Sequence, residues 1–304
     1  MNKEDALKYF QQCMEENPEI SCAVAAIRTL IEYLKRSQAG TLAGLRESLK
    51  GCINWLMETD NSATSISSGC ELFLRFITLA ALDQMNFQEC KNILVERGKL
   101  YLQKVAGSRD KIASLGEPFI RDGCSVLTHS HSRVVLKMFQ EAAAAKKRFN
   151  VFITESCPDR SGEKMARKLR EAGIPVIVIL DAAAGYIMEN VDLVLVGAEG
   201  VVESGGIINK IGTYQIAMSA KIANKPFYVV VESFKFVRGI YPLNQQDIPD
   251  EYKFHAAELK SKKDLNEAHP LIDYTPPVYI TLLFTDLGVL TPSAISDELI
   301  KLYC

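Results

Sequence analysis

The chain lacks any apolar run long enough to cross a bilayer. Its longest stretches, such as positions 175–184, cover about ten residues, against the roughly 20 a membrane helix needs. It also lacks an excess of charge of either sign. Lys and Arg number 35 against 37 Asp and Glu, a formal net charge of −2 with a pI near 6.2. No global basic field therefore draws nucleic acid or anionic lipid to it. Paired cysteine motifs are missing: the eight cysteines lie scattered with no C-x-x-C pair, and a chain of this length needs no disulfide staples, so they read as reduced thiols that mostly fill core space. The opening Met1-Asn2-Lys3-Glu4-Asp5 carries acids and no following apolar block, unlike a secretory or transit signal. The expected compartment is the cytosol.

What is present suffices for one large or two ordinary domains: 304 residues, 48% of them hydrophobic, which excludes intrinsic disorder. Between positions 4 and 113 apolar residues recur at helical spacing, as in Ala23, Ile27, Leu30, Ile31 and Leu34, and Pro18 is the only proline. Turn signals at Asn17-Pro18, Gly40 and Thr59-Asp60-Asn61-Ser62 divide this half into four or five amphipathic helices, with one further long helix expected over 86–112. After Gly123 the texture changes. Short runs apolar on both faces, at 125–129, 151–155, 175–180, 193–196 and 227–231, alternate with helix-period segments such as 162–172 and 214–223. That is the pattern of buried parallel strands with crossover helices. The expected fold is therefore α/β: an N-terminal helical domain over 1–118, then a doubly wound, mainly parallel Rossmann-like sheet domain over 119–304. Residues 233–275 look like a polar, irregular excursion before a last strand at 279–284, and Thr291-Pro292 looks like an N-cap with proline at the first helical position. No repeat is visible, and the Ala tract at 142–145 reads as ordinary helix.

Open α/β sheets bind ligands beyond the carboxyl ends of their strands. The richest such segment runs from Gly197-Ala198-Glu199-Gly200 through Gly205-Gly206-Ile207-Ile208-Asn209-Lys210-Ile211-Gly212-Thr213-Tyr214. Glycines admit an anion to backbone amides, a helix opening near Gly212 offers N–H groups, and Lys210 supplies a charge, so this is either a phosphate site or a tight turn with a solvated lysine. It matches neither G-x-G-x-x-G nor a Walker loop. In Thr128-His129-Ser130-His131-Ser132-Arg133, two histidines share a strand face with Cys124 nearby in sequence, but nothing completes a zinc set. A Ser130/His131/Asp181 triad lacks a nucleophile elbow. In the next loop Ser161 would cap the following helix, and Asp181 is either a cap or an acid near a ligand. Lys146-Lys147-Arg148 has no interleaved aromatics and reads as a solvated helix end rather than a nucleic-acid patch.

Several of these segments resemble one superfamily: GGIINKIGTY at 205–214, LDAAAGYIM at 180–188, the Gly-Ala-Glu at 197–199, the strand at 227–230 and FTDLGVL at 284–290. It holds methylthioribose-1-phosphate isomerase, ribose-1,5-bisphosphate isomerase and the regulatory subunits of translation initiation factor 2B. The likeness to the enzymes covers roughly 120–292. The likeness to the alpha-type regulatory subunits runs nearly end to end, through AVAAIRTLIEYLKR at 23–36, SSGCELFLRFI at 67–77, ESFKFV at 232–237 and LTPSAISDELIKLY at 290–303. The enzymes carry a catalytic cysteine after a Thr-His pair and an aspartate after a Gly-Ala pair. Here those positions hold Ser130 and Glu199, and the arginine of the enzymes' Glu-Thr-Arg-Pro loop is Cys157. A serine needs an adjacent base to do what a thiol does near neutral pH.

The resemblance thus implies no catalytic residues, no metal and no cofactor. It implies a vestigial pocket for a sugar phosphate or nucleotide, lined by His129, Ser130, Glu199, Gly205, Gly206, Asn209 and Lys210. It further implies a non-catalytic regulatory subunit of the guanine-nucleotide exchange factor for initiation factor 2. Its partners would be a second copy of itself, the beta, gamma, delta and epsilon subunits, and initiation factor 2, above all when the alpha subunit of that factor is phosphorylated. Neither membrane nor nucleic acid is an expected partner. The alternative is an aldose-ketose isomerase acting on a phosphorylated pentose.

Overall fold

In the computed structural model, residues 1–78, 86–260, 265 and 268–303 are described, and the chain divides into two compact units. The first comprises Met1–Gly107 with Phe254–Ala268 and Leu302–Cys304. Its helices are α1 (Lys3–Glu16), α2 (Cys22–Arg36), α3 (Leu42–Met57), α4 (Ala63–Thr78) and α5 (Phe87–Ala106). Each of four starts is capped by a polar side chain accepting a backbone N–H: Asn2 from Asp5, Ser21 from Val24, Thr41 from Gly44 and Asn86 from Glu89. Such caps satisfy the amides that open a helix and stabilise by about 1 kcal/mol each. At the centre of the bundle lies α2, whose Ala25, Ala26, Ile27, Leu30 and Leu34 are wholly enclosed by α1, α3, α4 and α5. The segment 254–268 is tied to this unit by Lys260, which shares Glu58 with Lys3 at 3.0 and 2.9 Å.

The long helix expected over 86–112 is two helices. Gly107 ends α5, and α6 (Ser108–Gly116) restarts the chain in the second unit. Apolar periodicity continues across the break, so residue pattern alone does not reveal it. The units therefore part at Gly107/Ser108, not at 118/119, and the first recruits residues from beyond the sheet.

The second unit holds a seven-stranded sheet in the order β10-β9-β7-β4-β1-β2-β3. Its strands are β1 (Ser125–His129), β2 (Asn150–Thr154), β3 (Val176–Ile179), β4 (Leu193–Gly197), β7 (Phe227–Val230), β9 (Leu282–Thr285) and β10 (Gly288–Leu290). All pair in parallel except β10, which returns antiparallel on β9. The crossovers are α7 (Arg133–Ala144), α8 (Ser161–Glu171), α9 (Ala184–Ile187) and α10 (Thr213–Ile222). The core beneath α7 and α8 gathers Val126, Val135, Met138, Phe139, Ile153, Met165, Leu169 and Leu195. The order reverses between β1 and β4, the switch point at which such sheets place their ligands.

A second sheet was not legible in the sequence. Strands β5 (Gly200–Val201), β6 (Ile207–Lys210) and β8 (Ile272–Thr275) pair antiparallel, with Ile208 opposite Tyr274 and Asn209 opposite Asp273. Their own small core is Val202, Ile208, Ile248, Ile272 and Tyr274. A third of the segment taken for a strand-to-helix loop is thus strand, and the supposed excursion 233–275 ends in strand. It also contains the short helices α11 (Asp250–Lys253) and α12 (Ala256–Lys260). The reason is length: two- and four-residue strands carry little periodicity, and the partner of β6 lies about 65 residues downstream. The chain closes with a 3-10 turn at Pro292–Ala294 and α13 (Ile295–Tyr303). Pro292 does open that turn, but Thr291 does not cap it with its side chain, which instead meets Ser293 at 2.9 Å.

Candidate functional site

The last residue of β1, His129, is buried and held from both ring nitrogens. Nδ1 lies 2.5 Å from Thr154 Oγ1 and Nε2 lies 2.9 Å from the Ile211 carbonyl. A carbonyl can only accept, so Nε2 carries the proton and the Thr154 hydroxyl donates to Nδ1. Burial lowers the His129 pKa, against the pull of Asp181, which favours the charged ring. Packed on the ring is Gly212, at φ +102°, where an added Cβ would sit 3.1 Å from His129 Cε1. The ring therefore joins β1, β2 and the turn into α10, and neither nitrogen is left over as a base.

Ser130 follows in the left-handed region at φ +60°, and its hydroxyl meets that of Ser161 at 2.7 Å. Ser161 is not the cap expected of it. Arg160 holds the cap position of α8 at φ +52°, and Ser161 is the first helical residue, its N–H donated to Asp159 Oδ1 at 3.0 Å. Among the described residues five non-glycine ones have positive φ: Lys146 and Asn224 follow the ends of α7 and α10, while Ser130, Ser156 and Arg160 cluster in the loops after β1 and β2. Such conformations cost about 1–2 kcal/mol each and concentrate at functional sites.

Asp181 resolves as a loop anchor. Its two carboxylate oxygens accept the N–H groups of Ser156 and Cys157 at 2.9 and 2.8 Å, so it completes no triad, and the Ser130 hydroxyl is turned to Ser161. A ligand atom from each of Glu155, Cys157 and Asp181 lies within 4.8 Å of the others, but Asp181 is committed to backbone. The imagined zinc set fails on distance: Cys124 precedes β1 and His129 ends it, five residues or roughly 17 Å along a strand. Cys124 instead lines a cleft of about 760 Å³ at the amino ends of the strands, with Phe119, Arg121, Asp192, Pro226 and Tyr228.

The glycine-rich segment divides. Gly205 and Gly206 make the turn between β5 and β6, with Gly205 N–H donated to the Val202 carbonyl at 2.9 Å. At Gly205, φ is +82° and an added Cβ would come within 2.1 Å of the Pro292 carbonyl oxygen; at Gly206 it would meet Tyr274 at 2.5 Å. These glycines answer to close packing rather than to an anion. Glu199, half-buried beyond β4, starts the β5–β6 pairing by donating its N–H to the Ile208 carbonyl at 2.9 Å. Asn209 is buried and donates from Nδ2 to Thr213 Oγ1 at 3.0 Å. Lys210 is ion-paired with Asp159.

The expected free amides at the start of α10 exist but are occupied. Asp273 Oδ2, on β8, accepts from Gly212 N at 2.8 Å and from Tyr214 N at 3.0 Å. Burial pushes the Asp273 carboxyl up to about 7, while these backbone donors pull it down. Sequence reasoning missed both Asp273 and Asp159. Nothing local marks Asp273, since only the β6–β8 register brings it to Gly212, whereas the Pro158-Asp159 turn was open to inspection. The charged run at 146–148 is no patch: Lys147 pairs with Glu117 at 2.5 Å and Arg148 with Asp122 at 3.3 Å. Elsewhere at the carboxyl edge, Glu232 is buried after β7. Its Oε1 accepts Arg109 Nε at 3.0 Å and its Oε2 faces Lys235 Nζ at 3.0 Å. Burial by itself would raise this carboxyl, but the Lys235 and Arg109 charges hold it down at about 2.

His129, Ser130, Asn209 and Lys210 thus gather with Asp159, Ser161 and Asp273 at the carboxyl edge beside the switch point. Glu199 lies along the same edge, and Gly205 and Gly206 serve the small sheet. This assembly holds one ammonium, two hydroxyls and amide donors, with the Asp159 carboxylate set on the ammonium and the Asp273 carboxylate on the amides that open α10.

Comparison with known proteins agrees with this reading of the fold. The family model described as the Initiation factor 2 subunit family matches residues 15–292. The chain is 48% identical to translation initiation factor eIF2B subunit alpha of Dictyostelium discoideum over 97% of this chain and 95% of that one. It is 32% identical to a ribose 1,5-bisphosphate isomerase of Archaeoglobus fulgidus, covering 92% and 87%. Among solved structures, a Pyrococcus horikoshii translation initiation factor eIF-2B superposes with a TM-score of 0.72 at 26% identity, covering 95% of this chain and 98% of that one. With an eIF2B-beta2-delta2 complex from C. thermophilum the chain shares the fold, at a TM-score of 0.77, 21% identity, and 100% and 96% coverage. With the family model spanning both units and a relative nearly half identical from end to end, this chain belongs to the initiation factor 2 subunit family.

Proposed function

We propose that the chain is a non-catalytic, alpha-type regulatory subunit of translation initiation factor 2B, the guanine-nucleotide exchange factor for initiation factor 2, working in the cytosol. The observation that carries this is identity spread over the whole length: 48% and 41% to the eIF2B alpha subunits of D. discoideum and Caenorhabditis elegans, with 97% and 100% of this chain covered. Similarity to the isomerases is lower, and the departures fall where their chemistry needs fixed groups. Ser130 replaces the cysteine, Glu199 the aspartate and Cys157 the arginine. In place of a poised acid and base, the carboxyl edge holds a doubly bonded neutral His129 and a Ser130 hydroxyl engaged by Ser161.

On this reading two copies associate through the α/β unit and join the beta, gamma, delta and epsilon subunits, and the assembly senses the phosphorylated alpha subunit of initiation factor 2. Supporting self-association, Tyr186 on α9 and Ile222 on α10 are 86% and 84% exposed, large apolar side chains on two helices that pack together. The carboxyl-edge pocket is kept as a vestigial site for a sugar phosphate or nucleotide, with Lys210 and Asn209 as its polar contacts. Gentle recovery of the tagged chain from its native cytosol, with native mass and co-purifying proteins determined, tests the proposal. Elution with four other subunits is expected. A small homo-oligomer that interconverts phosphorylated pentoses, with Glu199→Gln inactive, would replace the proposal by the isomerase reading.

A further inference from the structure

We propose that Asp159 is a resident anion at the carboxyl-edge pocket, an internal occupant of Lys210 that an incoming phosphate monoester must displace. The inference rests on the ligand pocket proposed above. Lys210 Nζ is paired with the Asp159 carboxylate, and the Lys210 side chain is 27% exposed. The neighbouring cation of the loop, Arg160, is turned to Glu155 at 3.8 Å and Glu163 at 3.7 Å. The start of α10 is filled in the same way by Asp273, through Gly212 and Tyr214. Two groups suited to anions beside His129 and Ser130 are therefore each met by a carboxylate of the chain itself.

Asp159 is placed to hold Lys210. One carboxylate oxygen accepts the Ser161 N–H at 3.0 Å and the other faces the ammonium. The residues on either side fix the loop, with Ser156 and Arg160 both left-handed and Ser156 and Cys157 anchored by Asp181. A phosphate reaching Lys210 meets a charge of its own sign on Asp159. Binding then requires the loop carboxylate to swing away, its charge going to solvent, so the site selects ligands whose remaining hydroxyls recover that cost, and bare anions bind poorly. The affinity for anions is set by Asp159 as much as by Lys210.

The test is calorimetric titration of the full-length protein with inorganic phosphate and with ribose 5-phosphate, comparing wild type, Asp159→Asn, Lys210→Ala and the double variant. Asparagine keeps an oxygen for the Ser161 N–H while removing the charge. Asp159→Ser, checked for wild-type circular dichroism, serves if the amide variant does not fold. One unit charge removed at close range changes phosphate affinity by about tenfold. The expected result is therefore about tenfold tighter phosphate binding by Asp159→Asn, with binding lost in both proteins that lack Lys210. Lys210-dependent binding in wild type that is unchanged or weaker in Asp159→Asn overturns the role of Asp159 and leaves the pocket standing. Absence of binding in all four proteins overturns the pocket and this inference with it.

Discussion

Replacing Glu232 by Gln removes the charge from a carboxylate that is 1% exposed and sits between Arg109 and Lys235. The magnitude follows from linkage. A carboxyl held at about 2 against an ordinary 4.5 corresponds to about 3 kcal/mol of folding stability. That matches the roughly 3–5 kcal/mol measured for breaking buried ion pairs by removing one partner. The sign is that of a depressed acid. The stabilisation is fully present above about pH 4.5 and is lost as pH falls through about 2. In the glutamine variant nothing titrates at this position, so the difference between the two proteins is about 3 kcal/mol at pH 7 and shrinks towards zero near pH 2. In a unit of this size that is about 6–12 °C in melting temperature at neutral pH. The assay is thermal or urea unfolding by far-ultraviolet circular dichroism from pH 7 to pH 2, with hydrogen exchange on peptides spanning β7 to localise the loss. A difference below about 1 kcal/mol at pH 7, or one that stays constant with pH, would refute the reasoning that this network is a desolvated charge cluster.

Other consequences are equally direct. Gly205→Ala forces a Cβ towards the Pro292 carbonyl from a left-handed backbone and should lower stability by about 2–4 kcal/mol, read as a fall in the urea midpoint; an unchanged midpoint would mean that the turn shifts freely. Because burial lowers the His129 pKa, its ring stays neutral below the ordinary histidine range, and a histidine Cε1–H NMR titration should show its midpoint displaced to acid. The accompanying stability is present above the unfolded pKa and declines as pH falls below about 6.5, a slope that His129→Asn should abolish. Thiol labelling of the native protein at pH 8 should reach exposed Cys157 before Cys52, which burial pushes up to about 12, and before fully buried Cys70. Mass spectrometry of the labelled peptides checks the order, and early labelling of Cys52 would place that helix face in solvent.

The alternation of chain texture at about residue 120, amphipathic helices before it and the parallel strands β1, β2, β3, β4 and β7 after it follow from residue pattern alone. Burial on one stripe of a helix or on both faces of a strand is a property of consecutive residues. The positions of His129, Ser130, Asn209 and Lys210 on one edge were also within reach, because strand ends in an open parallel sheet converge. Partners far apart in the chain were not. The β6–β8 register that carries Asp273 to the start of α10, and the close approach of Pro292 that demands Gly205, depend on loop closure over tens of residues that no local propensity encodes. The same holds for charge. Sequence singled out Lys210 as a charge at the carboxyl edge, but only the tertiary structure set Asp159 against it.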